Sequence, residues 1–444
     1  MLLSHGLRLS YPLSIDTGIR SIAFVGAGGK TTAMFQVARE LPPPVLVTTT
    51  THLGVWQTSL ADSHVIRQTV SDFAGFKFRG VTLITGPIQD DRATSLNENV
   101  LYWLHAYSQK YNTTLLIEAD GGRQKVLKAP NEYEPVIPEF IDAVIVVAGL
   151  TGLGKSLNEE TVHRPRLFSN SSGLSLNDSI TPEALIRVLT HPNGGLKNIP
   201  PHARRIVLLN QAETPELQSV AGKMSATLLQ HFDSVLVGSL KESHFQAFEK
   251  TAGIILAAGA SKRFGQPKQL LDWHSEPFIR VVAQTALNAG LSPVIVVTGA
   301  KADEVESVIK DLPITIVRNE KWQSGQASSI QAGIKSLSNE TGAAIFLLAD
   351  QPQIGIEIIQ ALIEHHTIDL YPIVAPLVIM EQRANPVLFD RVTFPDLLKL
   401  EGDVGGRAIF SKYPVEYMPW HDDQLLLDVD TPEDYRRLME DHTL

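Results

Sequence analysis

Twelve short apolar runs, each of strand length, set the terms for this chain of 444 residues. Six lie at residues 22–25, 45–48, 81–84, 115–117, 143–148 and 206–209, and six more at 254–257, 293–298, 314–317, 343–349, 373–375 and 425–429. Helix-prone stretches such as 278–288 and 304–310 lie between them. Apolar runs that do not alternate with polar residues belong to strands buried on both faces of a parallel sheet. Their alternation with helices predicts an α/β fold of two open, doubly wound domains, with ligands held at the carboxyl ends of the strands.

A chain of this length exceeds what one core supports, so more than one domain is expected. Residue 254 opens a fresh strand, loop and helix after a polar stretch, which places the boundary near Thr251 and gives domains 1–250 and 251–444. The halves share an architecture but no repeated motif. They differ in charge: residues 1–250 carry 22 acidic and 22 basic side chains, whereas the rest carry 26 and 16, so the whole net charge of −10 belongs to the second half. That field argues against a nucleic-acid partner and suits a magnesium-dependent site for a small anion. The absence of cysteine excludes disulfides, thiolate zinc sites, iron–sulfur clusters and cysteine nucleophiles, leaving oxygen or histidine to hold any metal. No apolar run approaches the ~20 residues of a bilayer helix, and residues 1–20 do not read as a secretory signal. A cytoplasmic protein with no membrane partner is expected.

In the first half, the run at 22–25 leads into Gly26-Ala27-Gly28-Gly29-Lys30-Thr31-Thr32 and then a helix-prone segment, 33–40. Strand, glycine loop, Lys-Thr and helix make a phosphate cradle: backbone N–H groups wrap the anion, the lysine reaches phosphate oxygens and the threonine hydroxyl meets Mg2+. A full eight-residue P-loop needs glycine at position 24, where this chain has Phe24. The shorter loop resembles the compact P-loop of Mur-ligase-type ATP enzymes. Gly26, Gly28, Gly29, Lys30 and Thr31 are therefore candidates to bind ATP or another NTP. The run at 115–117 ends in Glu118-Ala119-Asp120, and either carboxylate could join Thr31 at a metal. Spacing does not choose between them. Asn210-Gln211-Ala212-Glu213 echoes the Asn-Lys-x-Asp guanine reader of GTPases but lacks its Lys and Asp, so an ordinary strand-end turn is the favoured reading.

Four stretches, GAGGKTT (26–32), TTTTHLG (48–54), EADGGRQKVLKAPNEYEP (118–135) and GKSLNEETVHRP (154–165), carry a resemblance to the YqeC-like accessory proteins of selenium-dependent molybdenum hydroxylases. The resemblance covers most of residues 20–240. It implies a part in cofactor maturation, with a molybdenum hydroxylase apo-enzyme as partner, and offers Lys125, Lys128, His163 and Arg164 as basic groups for an anionic ligand.

The strongest signal follows the run at 254–257. Leu256-Ala257-Ala258-Gly259 continues into Ala260-Ser261-Lys262-Arg263-Phe264-Gly265-Gln266-Pro267-Lys268, where a nucleotide-binding α/β fold keeps its phosphate loop. Small residues let the backbone approach a triphosphate, and Arg263 and Lys268 supply two positive charges for it. Attack on an α-phosphorus builds charge on the phosphate oxygens and on departing pyrophosphate, which calls for Mg2+ and cationic clamps. Two acidic strand ends, Asp350 and the Asp428/Asp430 pair, could hold one octahedral Mg2+ together with phosphates and water. Asp430 before Thr-Pro-Glu is equally a plausible helix N-cap.

From residue 253 to about 439 the chain resembles the MobA/MocA-type nucleotidyltransferases, the molybdenum cofactor cytidylyltransferases among them. Besides the loop, the resemblance rests on WQSGQASSI (322–330), LLADQP (347–352) and LDVDTPED (427–434). It implies that Ser328 and Ser329 help hold the nucleotide, that Asp350 binds metal, and that Asp428 and Asp430 join it. The implied reaction takes CTP as substrate and the molybdopterin of the molybdenum cofactor as acceptor, with Arg263, Lys268 and Asp350 catalytic. Relatives that use GTP read Leu-Ala-Gly-Gly in the loop. The β-carbon of Ala258 narrows that space and favours a pyrimidine. One departure bears on the acceptor: Ala384-Asn385-Pro386 stands where cytidylyltransferases of this type carry Gly-His-Pro. Another phosphate acceptor, or a carrier role for the cofactor without transfer, are the alternative readings. Asp403, in the turn 402–407, is a further candidate near metal or acceptor.

Overall fold

A computed structural model of the chain describes residues 1–9, 18–260, 264, 266–378 and 382–441. It divides into two compact units, Met1–Phe248 and Glu249–Leu444.

The first unit is built on eight strands: β1 (Ser21–Gly26), β2 (Val45–Thr49), β3 (Ser63–Ile66), β4 (Val81–Thr85), β5 (Thr114–Glu118), β6 (Ala143–Gly149), β7 (Arg204–Asn210) and β8 (Ser234–Ser239). They lie in the order β8-β7-β6-β1-β5-β2-β4-β3, and each of these neighbouring pairs is parallel. β2, β4 and β6 are buried along their whole length, the reason their sequences carry no polar alternation. The helices between them start and stop on local signals. The Asn97 side chain accepts from Val100 N to begin α2 (Glu98–Tyr111), and left-handed Asn112 ends it. Thr214 caps α3 (Pro215–Leu228), with proline at its first turn. The helix after β1, α1 (Lys30–Glu40), has no side-chain cap; Gly29 takes that position at φ +128°. From their carboxyl ends β1 connects toward β2 and the adjacent β6 toward β7, in opposite directions across the sheet. Ligands of open α/β sheets bind at such a switch point.

The second unit uses β9 (His244–Ala257, from residue 249 on), β10 (Val294–Thr298), β11 (Thr315–Arg318), β12 (Thr341–Leu348), β13 (Ile373–Val378), β14 (Val387–Asp390) and β15 (Val415–Pro419). The order is β11-β10-β9-β12-β14-β13, with β15 on the far side of β13. β11, β10, β9 and β12 are parallel, and the switch point falls at the end of β9, at Ala257. The sheet is not parallel throughout, because β14 runs against both β12 and β13. Only residues 379–386 separate β13 from β14, too few for a crossover helix, so the chain must return antiparallel. Helices α4 (Phe278–Asn288), α5 (Gln326–Lys335) and α6 (Ile356–Asp369) cover the sheet, and α7 (Pro432–Asp441) closes the chain.

Residues 425–429 correct the sequence reading. They form no strand: the Asp422 side chain accepts from Gln424 N and starts a 3-10 turn, Asp423–Leu426. Leu425 and Val429 are buried all the same. Their apolarity reports packing and not ladder pairing. The helix after them is capped by Thr431, whose Oγ accepts from Asp434 N, and not by Asp430. Among the described residues no helix is long and apolar enough to cross a membrane.

Candidate functional site

A cavity of about 970 Å3 opens over the end of β9. Its floor is Leu256, Ala258 and Gly259, and its walls carry Lys268, Ser329, Asp350, Asp403 and Asp430. The loop is held from beneath by Gln269, whose Nε2 donates to Ala257 O (3.2 Å) and Gly259 O (2.9 Å). Ala258 is packed, not dangling: its carbonyl accepts from Ala300 N, and a β-carbon at Gly299 would fall 2.8 Å from its own.

Lys268 organises the charge. Its Nζ lies 2.6 Å from Asp430 Oδ1 and 3.6 Å from Asp350 Oδ2. Burial raises the Asp350 carboxyl above its ordinary value, the Lys268 ammonium opposes this, and the nearby Asp428 charge adds to the rise. Asp428 itself accepts from Gln351 Nε2 at 2.8 Å. It does not line the cavity, and neither do Ala257, which is fully buried, or Ser328. Asn319 Nδ2 donates to Ser328 Oγ (2.8 Å) and Ser329 Oγ (3.0 Å), fixing the first turn of α5. Gly325 precedes that turn at φ +108°, where a β-carbon would lie 2.4 Å from the Gly402 carbonyl. This close approach brings Asp403 Oδ1 to Gln326 N, 3.3 Å away. Arg263 lies outside the described residues, as do Ser261 and Lys262. Among the described residues no group of three or more His, Asp or Glu side chains is assembled for a metal.

The loop at the end of β1 has a different character. Gly26 N donates to Asp120 Oδ2, Ala27 N to Val147 O and Gly28 N to Lys125 O, so its first three N–H groups already have protein acceptors. Asn210 Nδ2 donates to Gly28 O (2.7 Å) and its Oδ1 accepts from Leu240 N, a strand-end tie for the loop. Lys30 is buried, 3.2 Å from Asp120 Oδ1 and 3.8 Å from Glu118 Oε1. Burial lowers its pKa, but the two carboxylates outweigh that and raise it, so it stays charged. Thr31 Oγ1 donates to Glu118 Oε2 at 2.5 Å. The structure thus separates the two acids that spacing could not: Glu118 shares the Thr31 hydroxyl, whereas Asp120 is held between Lys30 and Lys128, 2.8 Å from the latter.

Lys128 and Arg164 are not open to an anion in this arrangement. Lys128 Nζ also bonds Glu134 Oε2 at 2.8 Å, and Arg164 grips the same carboxylate with two nitrogens at 2.7 and 3.0 Å. Burial works to raise the Glu134 pKa, but these partners prevail and hold it at about 2. His163 is held down at about 4, by burial first and then by Arg164, Lys128 and Arg123, and is neutral. Glu134, Gln269 and Asn319 carry no pattern of their own. Each is recognisable only by partners that the fold supplies.

The fold and cavity of the second unit define a nucleotidyltransferase of the MobA type. Residues 253–417 match the family model of the MobA-like NTP transferase domain, and residues 22–166 match that of the YqeC protein. The chain belongs to the YqeC family through its first part and to the MobA-like NTP transferases through its second. Escherichia coli (strain K12) YqeC is 30% identical over 52% of this chain and 93% of its own length. The nicotine blue oxidoreductase of Paenarthrobacter nicotinovorans is 30% identical, over 42% of this chain and 95% of its own. The molybdenum cofactor cytidylyltransferase of E. coli is 25% identical, over 43% and 96%. Among solved structures, Rv0371c of Mycobacterium tuberculosis H37Rv is 28% identical, covering 43% of this chain and 98% of its own, with a TM-score of 0.39.

Proposed function

We propose that the second unit transfers CMP from CTP to the phosphate of a molybdopterin-type molybdenum cofactor, releasing pyrophosphate. The observation that carries this reading is the meeting of Lys268, Asp350 and Asp430 at the mouth of a nucleotide-sized cavity. An oxygen of the acceptor phosphate attacks the α-phosphorus, and the α–β bridging bond breaks with its electron pair leaving on pyrophosphate. Lys268 neutralises charge on the phosphates, a task shared with Arg263. Ala258, Gly259 and Ser329 bound the nucleotide, and the packed methyl of Ala258 favours the smaller pyrimidine. Asp350 and Asp428 repel each other, and the burial-raised Asp350 carboxyl gains from a cation beside it. Asp350 with Asp428 or Asp430 would hold Mg2+ together with phosphates and waters, and the ion would there stabilise charge developing on the phosphate oxygens.

In the first unit, the reading is a compact P-loop-like site. Gly29, Lys30 and Thr31 would face the phosphates of ATP or another NTP, and Glu118 with Thr31 would hold its metal. The molybdenum cofactor cytidylyltransferase relative supports a role for the second unit in cofactor maturation; the same reading gives the first unit a part in that maturation and a molybdenum hydroxylase as recipient. Mass spectrometry of the cofactor after incubation with the protein and each NTP tests the transfer. A cytosine dinucleotide product is expected; transfer only to some other phosphate acceptor replaces the acceptor assignment.

A further inference from the structure

Outside the cavity, two arginines of the second unit are held together with no described acid between them. Arg383 places its guanidinium carbon 5.4 Å from the centre of the Tyr417 ring and 5.8 Å from that of Phe410. Arg407 Nη2 donates to Arg383 O (3.1 Å) and Asn385 Oδ1 (3.3 Å). Both side chains are exposed, and among the described residues neither forms an ion pair with a carboxylate. Partial burial and then the Arg383 charge pull the Arg407 pKa below its ordinary value. Among the described residues, then, two neighbouring cations stand without an ion-pair partner in the half of the chain that carries the whole net charge of −10. Carboxylates are plentiful there, so a like-charge pair without one marks a place where an outside anion would be stabilised.

Topology puts the pair on the edge where transfer takes place. Arg383 pairs with Leu377 near the carboxyl end of β13. β13 runs antiparallel to β14, which runs antiparallel to β12, so β13 and β12 end on the same edge of the sheet, and β12 leads directly into Asp350. Arg407 lies four residues beyond Asp403, a cavity wall, and feels the charge of Asp428. Guanidinium forks match phosphate oxygens in pairs, whereas the aromatic rings behind Arg383 fix the direction of its fork.

We propose that Arg383 and Arg407 form the anion subsite for the acceptor, binding the phosphate monoester whose oxygen attacks the α-phosphorus. The inference rests on the transfer reading above. A phosphate monoester dianion needs no base to remove a proton before attack. The pair binds and orients it, and is distinct from the Lys268 cluster that serves the nucleotide.

The test uses the full chain, CTP and purified molybdopterin-type cofactor, with pyrophosphate release as readout. Arg383→Ala and Arg407→Ala should each raise the acceptor KM about 10- to 100-fold, the value of a charged hydrogen bond, with the CTP KM unchanged. Dephosphorylated cofactor, used as a competitive inhibitor, should bind the double variant as it binds the wild type, a result that a merely disordered loop would not give. An unchanged acceptor KM in the double variant overturns the subsite and leaves the transfer reading standing. An equal rise in the CTP KM also overturns it. Absence of pyrophosphate release by the wild type with every NTP overturns both readings together.

Discussion

Two glycine loops, each at the carboxyl end of a central parallel strand, have opposite surroundings. Around the loop after β1, Lys30, Lys128 and Arg164 face Glu118, Asp120 and Glu134, and the charges close on one another. A cavity of about 30 Å3 lies beside Gly26 and Asp120, lined by neither Lys30 nor Thr31. Around the loop after β9, one lysine is shared by two aspartates at the wall of a space of about 970 Å3. Strand and glycine loop give a backbone geometry. Whether a ligand finds charge there depends on what the rest of the fold has already spent. A phosphate at the first loop would have to displace these ion pairs, while the second loop presents its groups to an open volume.

The largest effect is expected at Asp350. Asp350→Asn keeps shape and removes the negative charge, and transfer should fall about 100- to 1000-fold in a pyrophosphate-release assay, the loss expected of an electrostatic catalytic group. Near-normal release would remove Asp350 from the chemistry. The two lysines should then part company. Lys268→Ala should cut transfer by roughly 100-fold and cost less stability than loss of Lys30, because its partners Asp350 and Asp430 reach solvent. Lys30→Ala leaves buried Glu118 without its cation and Asp120 with Lys128 alone, and should destabilise the first unit by about 3 kcal/mol, read by denaturant titration. Equal melting of the two variants would contradict the contrast.

Acid sharpens it further. In the unfolded chain His163 takes a proton near pH 6.5 and Glu134 near 4.5, whereas the folded values are about 4 and about 2. The unfolded state thus binds more protons across both windows, and stability falls as pH drops from 6.5 toward 2. The Glu134→Gln variant should lose the lower part of that slope in melting curves of the first unit. A slope unchanged below pH 4.5 would show that Glu134 is not its source. The smallest effect belongs to Ala258→Gly, which should relax the preference for CTP over GTP by about 10-fold or less in competition kinetics. Unaltered selectivity would take Ala258 out of nucleotide choice.

Much of the framework is readable in the sequence because strands buried on two faces lose their polar alternation, as at 45–48, 81–84 and 143–148. The same signal misleads at 425–429, where buried Leu425 and Val429 pack without a partner strand. Ser63–Ile66 and Val415–Pro419 escape notice because they are only partly buried and carry polar residues. In the sites, what local pattern cannot supply is the partner. Lys268 meets Asp430 across 162 residues of sequence, and Arg164 meets Glu134 across 30. Glu118 and Asp120 sit two apart on one strand end, and only the positions of Thr31 and Lys128 tell them apart.

The central claim is nucleotidyl transfer from CTP to a molybdopterin-type phosphate by the Lys268 and Asp350 site. Its most direct test is mass spectrometry of the cofactor after incubation of the full chain with each NTP and Mg2+, run beside the Asp350→Asn variant. A mass increase of one cytidylyl group (CMP less water) is expected with CTP, abolished or nearly so in the variant, with stoichiometric pyrophosphate. A guanine adduct formed in preference would contradict the cytidylyl assignment, and an unmodified cofactor with all four nucleotides would contradict the transfer itself.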